Sequence, residues 1–154
     1  QKTIFMLELA GIVILGILSA FALPRFADLG NEARKAALQG AFGAIKSASS
    51  IAHAESLVNN NPATVVLEGE TINMVNGYPQ AINLTVPTTT GGILEAAQIS
   101  AGYFTIVATG AGATAGSTIV IQATGATTIA DCAVTYTAAA ANASPGIAIV
   151  VTGC

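Results

Sequence analysis

Residues 3–26 read Thr3-Ile4-Phe5-Met6-Leu7-Glu8-Leu9-Ala10-Gly11-Ile12-Val13-Ile14-Leu15-Gly16-Ile17-Leu18-Ser19-Ala20-Phe21-Ala22-Leu23-Pro24-Arg25-Phe26. The run is apolar, carries one acid, Glu8, and is closed by Pro24 and Arg25. As a helix, Thr3 to Pro24 spans about 33 Å at ~1.5 Å per residue, enough to cross the core of a bilayer. A carboxylate at the centre of such a helix costs roughly 2.5–3.5 kcal/mol, so its presence asks for a function, and assembly fits better than chemistry. A cleaved secretory signal is the competing reading. The apolar run is longer than a usual signal core, and no Ala-x-Ala site leads into an ordinary mature start, which favours a retained helix; a plain signal anchor stays open. Gly11, Gly16 and Pro24 weaken the helix. They fit ordinary membrane-helix composition and equally a segment that bends or melts locally.

The 154 residues suffice for one domain. Charged residues make up 8%, against ~25% in an ordinary soluble domain. Hydrophobic residues make up 53%, and mean hydropathy is +0.68. The excess extends into the second half, built from Ala, Thr, Gly, Val and Ile. A free monomer of this composition is poorly soluble, which favours a subunit packed among copies of itself. Net charge is −3, and the five basic residues are Lys2, Arg25, Arg34, Lys35 and Lys46. A phosphate backbone requires a basic stripe; Arg34-Lys35 offers at most a weak contact, so nucleic acid is not an expected direct partner. The two cysteines, Cys132 and Cys154, read as one disulfide in a chain with an export-type N-terminus, against two buried free thiols.

Four regions follow along the chain: a hydrophobic membrane or filament-core helix over 1–27, an amphipathic continuation over 28–58, a connecting loop over 59–101 and an antiparallel sheet over 102–154. Asp28 and Asn31 offer N-cap chemistry for a reset helix. Ala33, Ala37, Ala41, Ala44, Ala48, Ile51 and Ala52 recur at helical spacing and predict a narrow seam of small side chains. Asn59-Asn60-Asn61-Pro62 predicts the helix end. The connector reads as irregular, with a turn at Asn76-Gly77-Tyr78-Pro79 and a short helix or turn at Ile93–Gln98. Strands are expected at Tyr103–Thr109, Ser117–Ala123, Asp131–Thr137 and Ile147–Val151, separated by Gly110-Ala111-Gly112, Gly125 and Pro145-Gly146. A helix packed on such a meander is the α+β solution for burying both apolar faces.

Catalytic signatures are missing. His53 is the single histidine, and it reads as a solvated helix residue; a histidine-based triad would have to use it. No Gly-x-Ser-x-Gly elbow, paired histidines, Cys-x-x-Cys, calcium loop or haem-attachment motif occurs. Glu68 and Glu70 read as a solvated turn. Gly110–Gly116 has no lysine and precedes a strand, unlike a phosphate loop. The expectation is therefore no catalytic residue, no metal site and no cofactor. Asn83-Leu84-Thr85 and Asn142-Ala143-Ser144 are candidate N-glycosylation triplets, and Thr85–Thr90 and Thr124–Thr128 candidate O-glycosylation segments.

Leu7-Glu8-Leu9, Ile14-Leu15-Gly16-Ile17-Leu18 and Ala22-Leu23-Pro24-Arg25-Phe26 together resemble the N-terminal helix of bacterial type IV pilins. Ala27-Asp28-Leu29, Glu32-Ala33-Arg34-Lys35-Ala36, Val75-Asn76-Gly77-Tyr78-Pro79 and the C-terminal cysteine pair are similar to the mannose-sensitive haemagglutinin branch. The specific part covers residues 1–36; the rest agrees in layout. The resemblance implies an α+β pilin fold, in which a long N-terminal α-helix, half protruding and hydrophobic, packs on a four-stranded antiparallel sheet. It implies a non-enzymatic major subunit, processed and methylated by a prepilin peptidase and held in the inner membrane. Pilus assembly machinery then polymerises it into an extracellular homopolymer supporting adhesion and motility. Glu8 matches the family's assembly glutamate, which pairs with a neighbour's terminal amine; Gly16 and Pro24 match the residues that bound a melting segment. The family's usual Gly-Phe-Thr-Leu-Ile-Glu reads Thr3-Ile4-Phe5-Met6-Leu7-Glu8 here, and the step from Glu8 to Gly16 is one residue short. A type II secretion pseudopilin and a membrane-anchored periplasmic binding module are the alternatives.

Overall fold

The computed structural model describes residues 2–82, 90–109 and 112–154, side chains excepted at 2, 4 and 14–29. The chain divides into two compact units, the first ending at Ala33 and the second running Arg34–Cys154. Helix α1 is Lys2–Val58, so the backbone shows no helix reset at Asp28 or Asn31; the Asp28 side chain lies outside the described residues. Gly16 and Pro24 lie within the helical assignment; their side chains are outside the described residues. Among the described residues no helix is long and apolar enough to cross a membrane; the expected span Thr3–Pro24 includes positions 4 and 14–24, whose side chains lie outside that description.

In the second unit α1 stops where the asparagine run begins. Asn60 and Asn61 take left-handed backbone (φ 60° and 53°), a conformation asparagine tolerates better than most residues. The Asn61 N–H donates to the Ser56 carbonyl at 2.7 Å, satisfying one of the orphan helix-end acceptors.

Residues 59–101 are not an irregular connector. They contain a three-stranded antiparallel sheet, β1 Thr64–Leu67, β2 Glu70–Val75 and β3 Tyr78–Pro79, then a one-turn helix, α2 Ile93–Ala96. Two-residue turns join the strands, since Leu67 pairs with Glu70 and Val75 with Tyr78. Both turns hold two consecutive positive φ angles, Glu68 and Gly69 (49°, 89°) and Asn76 and Gly77 (51°, 82°). That is type I′ geometry, whose twist matches the flanking strands and which Asn-Gly favours. The chain then lies beside β2 at Gly91, and the Gly92 N–H donates to Glu95 Oε2 at 2.7 Å to start α2.

The second sheet is the expected meander, β4 Phe104–Thr109, β5 Thr118–Ala123, β6 Ala133–Thr137 and β7 Gly146–Val150, hydrogen-bonded in that order. A 3-10 turn, Ile129–Asp131, takes up Asp131, the expected first residue of the sheet's third strand, which begins at Ala133. Alternation along the strands buries Ile119, Ile121, Val134 and Tyr136 on one face, and these pack with Leu38, Ile45 and Ala48 of α1. A smaller cluster, Ala52, Val65, Ile72 and Met74, sits under the first sheet. The buried stripe of α1 thus includes Leu38 and Ile45 beside Ala41, Ala48 and Ala52. It departs from the expected alanine seam, in which Ala33, Ala37 and Ile51 are exposed. The larger residues win because the space between helix and sheet rewards apolar volume. The result is α+β, with a helix, antiparallel sheets and a disulfide-bearing C-terminus.

Candidate assembly segment and the site residues

The described side chains between Thr3 and Val13 form an apolar surface on which Glu8 is the one ionisable group described. Phe5, Met6, Leu7, Leu9, Ile12 and Val13 are each 50–73% exposed. Glu8 is exposed among them. On a helix its face neighbours lie three and four positions away, namely Phe5, Gly11 and Ile12. A Cβ placed on Gly11 would meet nothing within 4 Å, so space lies open beside Glu8. A helix that is apolar on all sides is normally buried in a larger core or a membrane. Here the described part of that surface is exposed. In water the Glu8 carboxylate is solvated; its cost arises only once the surrounding side chains are covered. A cationic partner then becomes worth most.

The second unit places the remaining residues singled out above. Cys132 and Cys154 form a disulfide with Cα atoms 4.8 Å apart. Around it the tail is stitched to the loop before β6. The Thr128 N–H donates to the Gly153 carbonyl at 3.0 Å and the Gly153 N–H to the Asp131 carbonyl at 2.9 Å. Gly153 is required by proximity, since a Cβ there would lie 2.4 Å from the Thr128 oxygen. Arg34 Nη1 donates to the Cys154 carbonyl at 3.5 Å, which brings α1 to the same corner.

His53 is not a solvated helix residue. Its ring stacks on Tyr78 with centroids 4.0 Å apart and planes 4° from parallel. Its Nδ1 lies 2.8 Å from the Gly77 carbonyl, so this nitrogen carries the proton of that bond. The histidine anchors the second hairpin turn to α1. Tyr136, on β6, does the same for β3, donating from its hydroxyl to the Pro79 carbonyl at 2.6 Å. Burial holds the Tyr136 proton far above the ordinary tyrosine range; the Ser49 hydrogen bond acts in the opposite sense, and Tyr78 adds to the rise. Glu68, in the first hairpin turn, and Glu70, just after it, are exposed. Glu68 accepts from Gln98 Nε2.

Asn142 lies in an exposed turn at φ 58°. With Asn61 and Asn76 it lines an open cleft of about 510 Å³. Asn61 Oδ1 accepts from Ser56, and Asn76 Nδ2 donates to the Ala139 carbonyl at 2.8 Å, so these amides serve the fold. Sequence reading did not bring the three asparagines together, because they belong to the helix end, a hairpin turn and the loop before β7. A second groove, about 280 Å³, runs beside α1 at Ala44, Ser47 and Ile51, with Glu68, Glu70 and Glu95 at its rim. Among the described residues no group of three or more His, Cys, Asp or Glu could hold a metal ion. Asn83, most of Thr85–Thr90 and part of Gly110-Ala111-Gly112 lie outside the described residues. No protein-family model, curated protein or solved structure matches the chain.

Proposed function

We propose that this chain is the structural major subunit of an extracellular filament of the type IV pilin kind, polymerised through α1. One observation carries the reading: the first unit presents an exposed apolar surface bearing the carboxylate of Glu8. An apolar helix of this kind is soluble only when lipid or other apolar helices cover it, and a filament core supplies the second cover. Before assembly the inner membrane supplies the first, with a prepilin peptidase processing the end and assembly machinery drawing subunits out. Within the core Glu8 pairs with a neighbour's cationic N-terminus, which offsets its desolvation. The disulfide-closed C-terminus suits an oxidising, extracytoplasmic setting. Adhesion and motility are then properties of the filament.

The test is electron microscopy of material sheared from cells, with mass spectrometry of the same fraction. Thin filaments containing this chain are expected, and Glu8→Ala is expected to leave the protein in the membrane while reducing filament yield at least tenfold. Normal filament yield from Glu8→Ala would remove the assembly role of Glu8. A chain that stays in the membrane and on which enzyme secretion depends would establish the pseudopilin alternative instead.

A further inference from the structure

Asn76-Gly77 is the only Asn-Gly pair in the chain. The Gly77 backbone nitrogen can attack the side-chain carbonyl carbon of Asn76, Cγ, and close a five-membered succinimide ring. Glycine leaves that nitrogen unshielded because it has no Cβ. The other asparagines lack this combination. Asn61 precedes Pro62, which has no N–H. Asn142 precedes Ala143, whose methyl group crowds the nitrogen and whose N–H is already given to the Ala140 carbonyl at 3.2 Å. The remaining ones precede Glu, Asn, Met or Leu, all bulkier than glycine.

The fold exposes this pair to water and at the same time holds it shut. Asn76 is exposed. Its turn has type I′ geometry, with φ 51° at Asn76 and 82° at Gly77. In that geometry ψ of the first residue is about +30°, the mirror of a type I turn, which turns the Gly77 nitrogen away from the Asn76 side chain. The amide is itself engaged, since Asn76 Nδ2 donates to the Ala139 carbonyl at 2.8 Å. His53 Nδ1 holds the Gly77 carbonyl at 2.8 Å, and its ring stacks on Tyr78. The strand that follows adds only two residue pairs to β2. Opening of the turn is therefore a local event, resisted mainly by these side-chain contacts.

We infer that Asn76 is a site of spontaneous deamidation, gated by the His53 and Ala139 contacts of its turn. When the turn opens and ψ of Asn76 rotates, the Gly77 nitrogen gives up its proton and bonds to Cγ. The Cγ–Nδ2 bond breaks, and the amide group leaves as ammonia with that proton. Water then opens the ring. Addition at the side-chain carbonyl gives aspartate; addition at the main-chain carbonyl gives isoaspartate. The product cannot restore the original anchor. A carboxylate accepts but does not donate, so the Ala139 carbonyl loses its donor and faces a negative charge. Isoaspartate also adds a backbone carbon to a two-residue turn that fixes the register of its hairpin. The change is one-way. It frees the β2–β3 turn from the loop before β7 and places a charge in the cleft lined by Asn61, Asn76 and Asn142. It does not depend on the filament reading.

The test is peptide mapping by mass spectrometry of the full chain in detergent, aged in mildly alkaline buffer beside a sample unfolded in urea. Hydrogen exchange at β5 and β6 verifies that each native sample is folded. Residue 76 of the folded chain is expected to become aspartate and isoaspartate at least about tenfold more slowly than in urea, while Asn142 keeps its amide. His53→Ala is expected to speed the folded-state reaction about fivefold, the factor for one hydrogen bond. Tyr78→Leu, which removes the stacked ring alone, is expected to speed it about twofold or more. Asn76→Asp is expected to raise hydrogen exchange across the Val75–Tyr78 turn and to leave β5 and β6 protected. Equal rates in the folded and unfolded chain, no acceleration in either variant, or an amide at residue 76 that survives in every folded sample overturns the proposal. None of these readouts involves filaments, so a failure of the filament reading leaves them unchanged.

Discussion

The two sheets of the second unit solve the same problem with opposite means. The small sheet, β1–β3, has tight turns, with Glu68 and Glu70 at the first, rests on a few buried residues, and is tied to its surroundings by side-chain bonds: His53 to Gly77, Tyr136 to Pro79 and its own Asn76 to Ala139. The large sheet, β4–β7, has a continuous apolar inner face and a disulfide, with outer positions filled by uncharged residues, among them Thr, Val, Ala and Gln122. Polar anchoring substitutes for hydrophobic area where strands are too short to supply it. Where the area is ample, the chain dispenses with charge altogether, and both edges of the large sheet are left without a charged guard.

Removing apolar volume tests that contrast most severely. Ile121→Ala, at the centre of the large core, is expected to lose about 3–5 kcal/mol of stability, and Ile72→Ala, in the small cluster, about 2–3 kcal/mol. The difference reflects how readily each surrounding can collapse onto the cavity. Urea denaturation of the two variants measures it, and equal losses would mean that the two cores are mechanically one.

Next in size is the covalent tie. Cys132→Ser with Cys154→Ser is expected to lose about 3 kcal/mol, the chain-entropy value for a loop of 22 residues. Hydrogen exchange is expected to localise the loosening to the tail and the Thr128–Asp131 loop, leaving the hairpins protected. Uniform loss of protection across both sheets would contradict the division drawn above.

Tyr136 couples the two sheets and comes third. Tyr136→Phe leaves the Pro79 carbonyl without its donor, at a cost of about 1–3 kcal/mol. The same hydroxyl gives a pH signature. Burial raises its pKa in the folded protein, while the unfolded chain releases that proton near pH ~10. The contribution is present below pH ~10 and is lost as pH rises beyond it, because the unfolded state binds fewer protons there. Stability measured from pH 8 to 11 should fall more steeply in the parent than in Tyr136→Phe; parallel curves would place the alkaline sensitivity elsewhere.

The smallest effect is expected from adding a charge to the large sheet. Thr135→Lys, on the outer face, should change stability by less than about 0.5 kcal/mol. If charge were excluded there by folding, the loss would exceed that value; a neutral result assigns the absence of charge to the sheet's surroundings.

Much of this architecture is legible in the residues. The four strands of the large sheet fall within one or two residues of their alternation pattern, since a half-buried strand repeats every two positions. The helix end is written in Asn59–Pro62, and the disulfide in a cysteine pair. The small sheet escaped because β3 has two residues and β2 interleaves Thr71, Asn73 and Glu70 with its apolar positions. Its signal lay in the turns: Glu68-Gly69 and Asn76-Gly77 each stand between short β-branched or aromatic runs. Glu8 stands out in the sequence because an acid in an apolar run is conspicuous. The anchoring role of His53 was not, because its partners Gly77 and Tyr78 lie more than twenty residues away.

By itself the sequence determined the periodicities, and with them the helix, the meander and the apolar run that opens the chain. Those are local properties, set by 3.6-residue and two-residue repeats and by backbone preferences of Asn, Gly and Pro. Only the tertiary structure decided which helix residues enter the core, which turn His53 holds, and that Tyr136 crosses from one sheet to the other. Such choices depend on the shape of the space between helix and sheet, and that space exists only after distant segments have packed.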